Sequence, residues 1–149
     1  MNKVFVFDLD HTLFKTTAVD RPDLPEVYAE FRDPDKLVTE SEPMPLLKLV
    51  KDLQDEGQPV YILTARCNTV SDAIYSLLAQ HGIYGMHVVC VGDKEGVAPI
   101  DKRKAHILNR LSSMYSKVYF YDDTLANLRA APDHIRKYTP DNPKIRWIG

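Results

Sequence analysis

The sequence predicts an α/β protein with a mostly parallel sheet that is covered by helices on both faces. Apolar runs of strand length alternate with amphipathic segments of helical period, and this alternation is typical of βαβ units. Such units join parallel strands with both faces buried, which accounts for runs that are apolar throughout. With 149 residues the chain is long enough for one core but not for two, so a single domain over residues 1–149 is expected.

The first strand is the apolar run from Val4 to Phe7, and it is followed by Asp8 and Asp10. Side chains two residues apart on an extended chain point the same way, so the two carboxylates are expected close together at the strand's carboxyl end. They repel each other unless a cation or a shared proton separates them. One interpretation is a Mg²⁺ site with a carboxylate free to attack, and the other is a turn in which Asp caps the next element.

The segment 15–43 differs in character from the rest and predicts a flap or small cap inserted after the first strand. It contains four prolines and eight acidic residues, and it lacks a strand pattern. A short helix is expected from about Pro25 to Arg32, with Pro34 stopping it. The alternative is an ordinary surface excursion, and the sequence does not separate the two.

Helices and strands alternate through the remaining chain. Leucines at helical spacing predict a helix from Met44 to Glu56 that Gly57 ends. Later helices are expected at about 70–81, 101–111 and 124–131. The candidate caps are Asn68, Thr69 or Ser71 for the first of these and Asp101 for the second. Strands are expected at 59–64, 87–91, 118–121 and 145–148, with a loop at 92–99.

Polar side chains follow three of the predicted strands, at the edge where open parallel sheets bind their ligands. These side chains are Asp8, Asp10, Thr64, Asp122 and Asp123. Carboxylate oxygens suit Mg²⁺, which neutralises a phosphoryl group and lets an anionic carboxylate approach it. Thr64 would offer a hydroxyl to that group, and Lys102 or Lys104, at the start of a helix, would offer a positive charge.

Composition narrows the class of protein. With 19 basic and 21 acidic residues, the net charge of −2 argues against a protein that coats nucleic acid. Residues 94–149 nevertheless hold 11 basic against 6 acidic residues, so a phosphate-bearing partner could bind there. Two cysteines and no long apolar run predict a cytoplasmic protein without a membrane partner. Dinucleotide and Walker fingerprints and zinc-ligand spacing are absent from the sequence.

The order of these motifs resembles the haloacid dehalogenase superfamily. The matching stretches are D-L-D-H-T at 8–12, I-L-T-A-R at 62–66, Lys104, and Y-D-D at 121–123. The resemblance implies a Rossmann-like sheet with a minimal cap after the first strand. It also implies a Mg²⁺ ion held by Asp8, Asp10, Asp122 and Asp123, with Asp10 contributing its backbone carbonyl.

The same resemblance implies catalytic roles for individual residues. Asp8 would be the nucleophile that forms an aspartyl-phosphate. Asp10 would protonate the leaving oxygen and then activate the hydrolytic water. Thr64 would bind the transferring phosphoryl group, and Lys104, favoured over Lys102, would neutralise that group and steady Asp8. Superfamily members that attack carbon–halogen bonds lack the second aspartate, so its presence implies a phosphatase.

Substrate class is less well determined. No large cap fits between Thr64 and Lys104, and segments 62–82 and 121–128 look like the phosphatase domains of polynucleotide end-repair proteins. Together with the basic C-terminal third, this favours a nucleotide or nucleic-acid terminal phosphate. The acidic flap would repel a polyanion, so a small non-nucleotide phosphomonoester is the rival. A phosphotransferase and a non-catalytic binding module are further alternatives.

Overall fold

The central sheet is parallel, as the alternation of strands and helices predicts. A computed structural model of the chain describes residues 2–16, 32–92 and 98–141, and within these ranges five strands form one sheet. Its strands are β1 (Lys3–Phe7), β4 (Val60–Thr64), β5 (His87–Cys90), β6 (Lys117–Tyr121) and β7 (Arg136–Tyr138). Two short strands, β2 (Phe14–Lys15) and β3 (Glu42–Pro43), pair antiparallel in a ladder of their own.

Five helices lie within the described residues, and all but the first of them lie close to their expected positions. They are α1 (Pro34–Glu40), α2 (Leu47–Asp55), α3 (Ser71–Gln80), α4 (Ile100–Met114) and α5 (Leu125–Ala130). The glycine stop expected for α2 is confirmed, because Gly57 adopts a φ of 74° and its N–H donates to the carbonyl of Gln54. Among these helices, none is both long and apolar enough to span a membrane.

The order in which successive strands join the sheet reverses at β1. The order is β5-β4-β1-β6-β7, with all neighbours parallel. From β1 the chain builds β4 and β5 on one side, then crosses back to build β6 and β7 on the other. In open α/β sheets the ligand crevice lies outside the strand carboxyl ends at such a reversal. The fold is therefore Rossmann-like, and its expected binding edge is at the ends of β1, β4 and β6.

Two helix layers cover the sheet, one on each face. Side chains alternate along β1, so Phe5 and Phe7 pack with α1, α2 and α3, whereas Val4 and Val6 pack with α4 and α5. The Phe7 ring stacks on Tyr121 of β6 at a centroid distance of 4.6 Å. Because β1 is buried on both faces, the residues that follow it are held on a rigid support.

The expected caps of α3 and α4 are wrong. The N-cap residue of α4 is Pro99, two residues earlier than expected, so Asp101 lies within the first turn. There its carboxylate accepts a hydrogen bond from the backbone N–H of Lys102 at 2.9 Å and still complements the helix dipole. A 3₁₀ turn precedes α3, whose start has no side-chain cap, so none of its three candidates serves: Asn68, Thr69 and Ser71.

The segment after β1 contains elements that the sequence did not indicate. The strands β2 and β3 pair where no strand was expected. Pro34 is the first residue of α1, and the side chain of Asp33 caps this helix by accepting from two backbone N–H groups of the first turn. Proline suits this first position because the N–H that it lacks would have no hydrogen-bond partner within the helix. The helix expected at 25–32 lies almost wholly outside the described residues, and the flap at 15–43 stays a prediction.

The strand β7 was missed in the sequence. It pairs with β6 at the edge of the sheet and spans only the three residues R-K-Y. A run so short and polar has no period by which to recognise a strand. The strand expected at 145–148 lies outside the described residues, as do positions 93–97 of the expected loop.

Packing of α4 on the sheet can be tested with two leucines. Leu108 of α4 is fully buried, whereas Leu125 at the start of α5 is 54% exposed. We expect Leu108→Ala to lower the free energy of unfolding by about 2–5 kcal/mol, because it leaves a cavity in the core. Leu125→Ala is the matched control and should change it by less than about 0.5 kcal/mol. Urea denaturation measures both, and equal effects would contradict the packing of α4 described here.

Candidate active site

Adjacent strands deliver Asp8 and Asp122 to the same edge of the sheet. Asp8 directly follows β1, and its N–H donates to the carbonyl of Tyr121 at 2.9 Å, which continues the pairing of β1 with β6. Asp122 directly follows β6, and its N–H donates to the carbonyl of Tyr138 in β7 at 3.1 Å. Backbone pairing of the sheet therefore sets the position of both carboxylates, and β7 contributes to placing the second.

A tight turn after Asp8 brings Thr12 back onto the same carboxylate. Three consecutive backbone N–H groups, beginning with that of Thr12, donate to the carbonyl of Leu9. His11 within the turn has a φ of 61°, a conformation that costs a non-glycine residue roughly 1–2 kcal/mol. The buried hydroxyl of Thr12 lies 3.1 Å from Oδ2 of Asp8 and 3.4 Å from Oδ1 of Asp123. Thr12 was part of the matched motif, but no role was expected for it.

Lys104 lies between the two buried carboxylates. Its side chain is 1% exposed, and its Nζ donates to Oδ1 of Asp8 and to Oδ2 of Asp122, both at 2.9 Å. Lys102 is exposed instead, since two residues along a helix are about 200° apart at 3.6 residues per turn. Of the two lysines considered, only Lys104 is therefore placed to act in the site.

The carboxylate of Asp122 is held by groups from α4 and α5. Besides Lys104, it accepts hydrogen bonds from the backbone N–H of Thr124 at 2.8 Å and from Nδ2 of Asn127 at 3.0 Å. Asn127 is a second residue that the sequence did not single out. With three donors on one fully buried carboxylate, Asp122 has little freedom to move.

The electrostatics of the site show an excess of negative charge. Burial raises the pKa of Asp8 well above its usual range, Lys104 opposes this rise, and Asp122 and Asp10 add to it. Burial alone would lower the pKa of Lys104, but the attraction of Asp8 and Asp122 outweighs it and raises that pKa. One ammonium is thus shared by two buried carboxylates, and a further cation would favour the charged form of Asp8.

Three carboxylates are grouped closely enough to hold a metal ion. Asp8, Asp122 and Asp123 each offer an oxygen, and these oxygens lie within 4.8 Å of one another. An all-oxygen set suits a hard cation such as Mg²⁺. Asp123 is exposed, which leaves one side of the group open to water or to a substrate. The side chain of Asp10 is not in this group, and contact of its backbone carbonyl with a metal stays a prediction.

Asp10 pairs with Arg66 instead. The Arg66 side chain is 1% exposed, with Nη2 at 2.6 Å from Oδ1 of Asp10 and Nε at 3.0 Å from Oδ2. The hydroxyl of Thr16 also donates to Oδ1, at 2.7 Å. A guanidinium fork of this kind holds a carboxylate in a single orientation. Arg66 belongs to the matched I-L-T-A-R stretch, but its role was missed because its partner lies 56 positions away.

The residues that follow β5 hold the end of β4, where Thr64 lies, and the loop after it, which carries Arg66. Thr64 is buried, and its Oγ1 accepts the backbone N–H of Arg66 at 3.1 Å, which leaves the hydroxyl hydrogen for another acceptor. The N–H of Gly92 donates to the Arg66 carbonyl at 3.1 Å, and that of Val91 to the Thr64 carbonyl at 2.9 Å. A Cβ at Gly92 would lie 2.4 Å from the carbonyl oxygen of Ala65, so this close approach requires glycine.

Of the expected site residues, Asp8, Lys104, Asp122 and Asp123 are brought into one group by the fold. Asp10 and Thr64 lie beside this group, and Arg66 contacts both: its side chain donates to Asp10 and its backbone N–H to Thr64. The site thus combines a buried carboxylate at the end of the central strand, a buried ammonium and an acidic group open on one side. This arrangement can hold a hard cation and a phosphoryl group at once.

Comparison with solved structures supports the fold. One similar structure is a chain of a Pnkp1/Rnl/Hen1 complex, with a TM-score of 0.61 and 20% identity over 93% of this chain and 47% of that chain. Another comes from the Pnkp1/Rnl/Hen1 RNA repair complex, with a TM-score of 0.58 and 18% identity over 93% and 43% of the two chains. This chain therefore spans less than half of either neighbour, and the likeness is one of fold. No protein-family model and no curated protein sequence matches the chain.

The role of Lys104 can be tested against that of Lys102 two residues earlier. We expect Lys104→Met to lower the free energy of unfolding by about 3–5 kcal/mol, because it leaves Asp8 and Asp122 as uncompensated buried charges. Lys102→Met, the matched control, should change it by less than about 0.5 kcal/mol. Chemical denaturation measures both, and a loss that is equal or larger in the Lys102 variant would refute the described geometry.

Proposed function

We propose that this protein is a Mg²⁺-dependent phosphomonoesterase of the haloacid dehalogenase superfamily that acts through an aspartyl-phosphate. The observation that carries the proposal is the environment of Asp8 at the end of the central strand. Lys104 lies 2.9 Å from one of its oxygens, and Asp122 and Asp123 lie close enough to share an ion with it. A binding module that lacked chemistry would have no need of so costly a group of buried charges.

Mg²⁺ would be held by Asp8, Asp122 and Asp123. When bound, the ion supplies positive charge that offsets the charge of the phosphoryl oxygens and of the attacking carboxylate. Asp123 accepts one weak hydrogen bond from Thr12, whereas Asp122 accepts three. Asp123 therefore has more lone pairs free for an ion, which favours it as a direct ligand.

Each step of the reaction then falls to residues of this chain. An oxygen of Asp8 attacks phosphorus, the bond to the leaving oxygen breaks, and Asp10 gives that oxygen a proton. Asp10 next takes a proton from water, the water oxygen attacks phosphorus, and the bond to Asp8 breaks to release phosphate. Lys104 and the hydroxyl of Thr64 stabilise the charge of the transferring group. Arg66 keeps Asp10 oriented for both proton transfers.

The proposed substrate is the phosphate of a nucleotide or of a nucleic-acid end. Two things support this class: the fold is shared with chains of an RNA repair complex, and α4 and α5 are rich in basic residues. The segment 15–43 would act as a minimal cap that affects substrate preference. A small non-nucleotide phosphomonoester remains the rival, because that segment is acidic.

Catalysis is tested by phosphate release, with and without Mg²⁺, from nucleoside monophosphates, phosphorylated oligonucleotides, sugar phosphates and an aryl phosphate. We expect Mg²⁺-dependent release that falls to background in Asp8→Asn, since the amide cannot attack phosphorus. Asp10→Asn should lower kcat by about 10²–10⁴ through loss of general acid–base catalysis. The exposed Asp133→Asn is the control and should match the wild type. Undiminished release by the Asp8 variant would refute the mechanism.

Metal binding is tested separately by titrating Mg²⁺ into the protein in a calorimeter. Removing one of three carboxylates lowers the ligand charge around the ion, so Asp123→Asn should weaken binding by roughly tenfold. Asp133→Asn serves again as the control, because it removes the same charge from an exposed position elsewhere in the chain. If both variants bound Mg²⁺ as tightly as the wild type, the ion would not lie at Asp123.

A further inference from the structure

We infer that the exposed face of α4 binds the phosphodiester backbone of a single nucleic-acid strand whose phosphorylated end lies at Asp8. This inference rests on the proposed function and makes it more specific, because it assigns a strand rather than a free nucleotide as the substrate. The binding surface, named here the α4 row, consists of Lys102, His106 and Arg110.

The two helix layers of the sheet differ in charge. On one face, α4 and α5 contain five basic residues and one acidic residue: Lys102, Arg103, Lys104, Arg110, Arg129 and Asp101. On the other face, α1, α2 and α3 contain three lysines and five acidic residues: Lys36, Lys48, Lys51, Asp35, Glu40, Asp52, Asp55 and Asp72. Even without Lys104, which is buried between two carboxylates, the first face is net basic, so it attracts a polyanion and the second face repels one. The charge asymmetry along the sequence is thus an asymmetry between two sides of the fold.

The α4 row occupies the side of the helix that points away from the sheet. Its three members follow one another at intervals of four residues, and all are exposed. The buried side of the same helix carries Lys104, Leu108 and Leu111. At a rise of about 1.5 Å per residue, the row advances roughly 6 Å per step and about 12 Å in total. A single phosphate bound at Asp8 does not reach so far, but the backbone of a strand does.

No acidic side chain neutralises the row among the described residues. In the part of the chain that the structure describes, the side chains of Lys102, His106 and Arg110 form no salt bridge and no hydrogen bond, because only the backbone groups of Lys102 and Arg110 take part in the side-chain hydrogen bonds found there. The contrast is with α2, where Lys51 pairs with Asp55 one turn on, at 3.5 Å. The half-buried Asp101 lies near the row, but its carboxylate accepts the backbone N–H of Lys102. The charges of the row are therefore available to phosphates.

The row begins next to the candidate active site. Lys102 belongs to the first turn of α4, and it lies two residues before Lys104, whose ammonium contacts Asp8. From there α4 runs away from the carboxyl edge of the sheet, because it leads back to the start of the parallel strand β6. A strand lying along the row therefore has one end at the site and its body on the basic face.

The test measures binding of a labelled strand of about 12 nucleotides by fluorescence anisotropy, without Mg²⁺, over a range of salt concentrations. Oligoribonucleotide and oligodeoxyribonucleotide arms show whether the sugar matters. The variant is Lys102→Gln with Arg110→Gln. The matched control, Lys3→Gln with Lys48→Gln, removes two exposed charges from β1 and α2.

We expect the row variant to bind more weakly and the control to bind as the wild type does. The slope of log affinity against log salt should become shallower by about 1.4 in the row variant, because each lost phosphate contact contributes about 0.7 for a single strand. Equally weakened strand binding in both variants would mean that only the net charge of the protein matters, and this would overturn the inference. An unchanged slope, or a wild type that binds no strand, would overturn it as well.

Turnover separates this inference from the proposed function. The row variant should raise KM for a phosphorylated strand and leave the hydrolysis of a nucleoside monophosphate unchanged. If the wild type hydrolysed monophosphates but neither variant changed KM for a phosphorylated strand, the inference would be refuted and the proposed phosphatase activity would be supported. If strand binding depended on the α4 row but no phosphate were released from any substrate, the proposed phosphatase activity would be refuted and strand binding by the α4 row would be supported.

Discussion

The ammonium of Lys104 between Asp8 and Asp122 is the interaction on which the rest of the site depends. Parallel pairing of β1, β6 and β7 places the two carboxylates at one buried edge, where they repel each other. A single buried cation, 2.9 Å from each, makes that arrangement tolerable and ties α4 to the ends of β1 and β6. The remaining negative charge would attract a cation, so the same charges that affect the stability of the site would also serve the proposed chemistry.

Much of this arrangement can be predicted from local sequence, because short apolar runs that end in carboxylates indicate both a buried strand and its binding edge. Asp8, Asp122 and Asp123 were found in this way, and Lys104 was preferred to Lys102 because Ile107 and Leu108 seat its helix. The cap of α1 also has a signal in the sequence, since an Asp-Pro pair is typical of a helix start.

What was missed depends on contacts between distant parts of the chain. The strand β7 is three polar residues long, so it has no recognisable pattern, yet the carbonyl of its Tyr138 helps to place Asp122. Arg66 meets Asp10 only after the ends of β1 and β4 have come together, and no spacing in the sequence indicates such a pair. Asn127 is near Asp122 in the sequence, but its side chain donates to the Asp122 carboxylate only once α5 has formed.

The most direct test of the account is whether phosphate becomes bonded to Asp8 during turnover. A substrate with ³²P in its phosphoryl group would be mixed with the enzyme and Mg²⁺, stopped in acid within one turnover, and digested for peptide analysis. We expect a labelled, acid-stable and base-labile peptide that contains Asp8, and no label in Asp8→Asn. Phosphate release without any labelled peptide, or with the label on another residue, would contradict it.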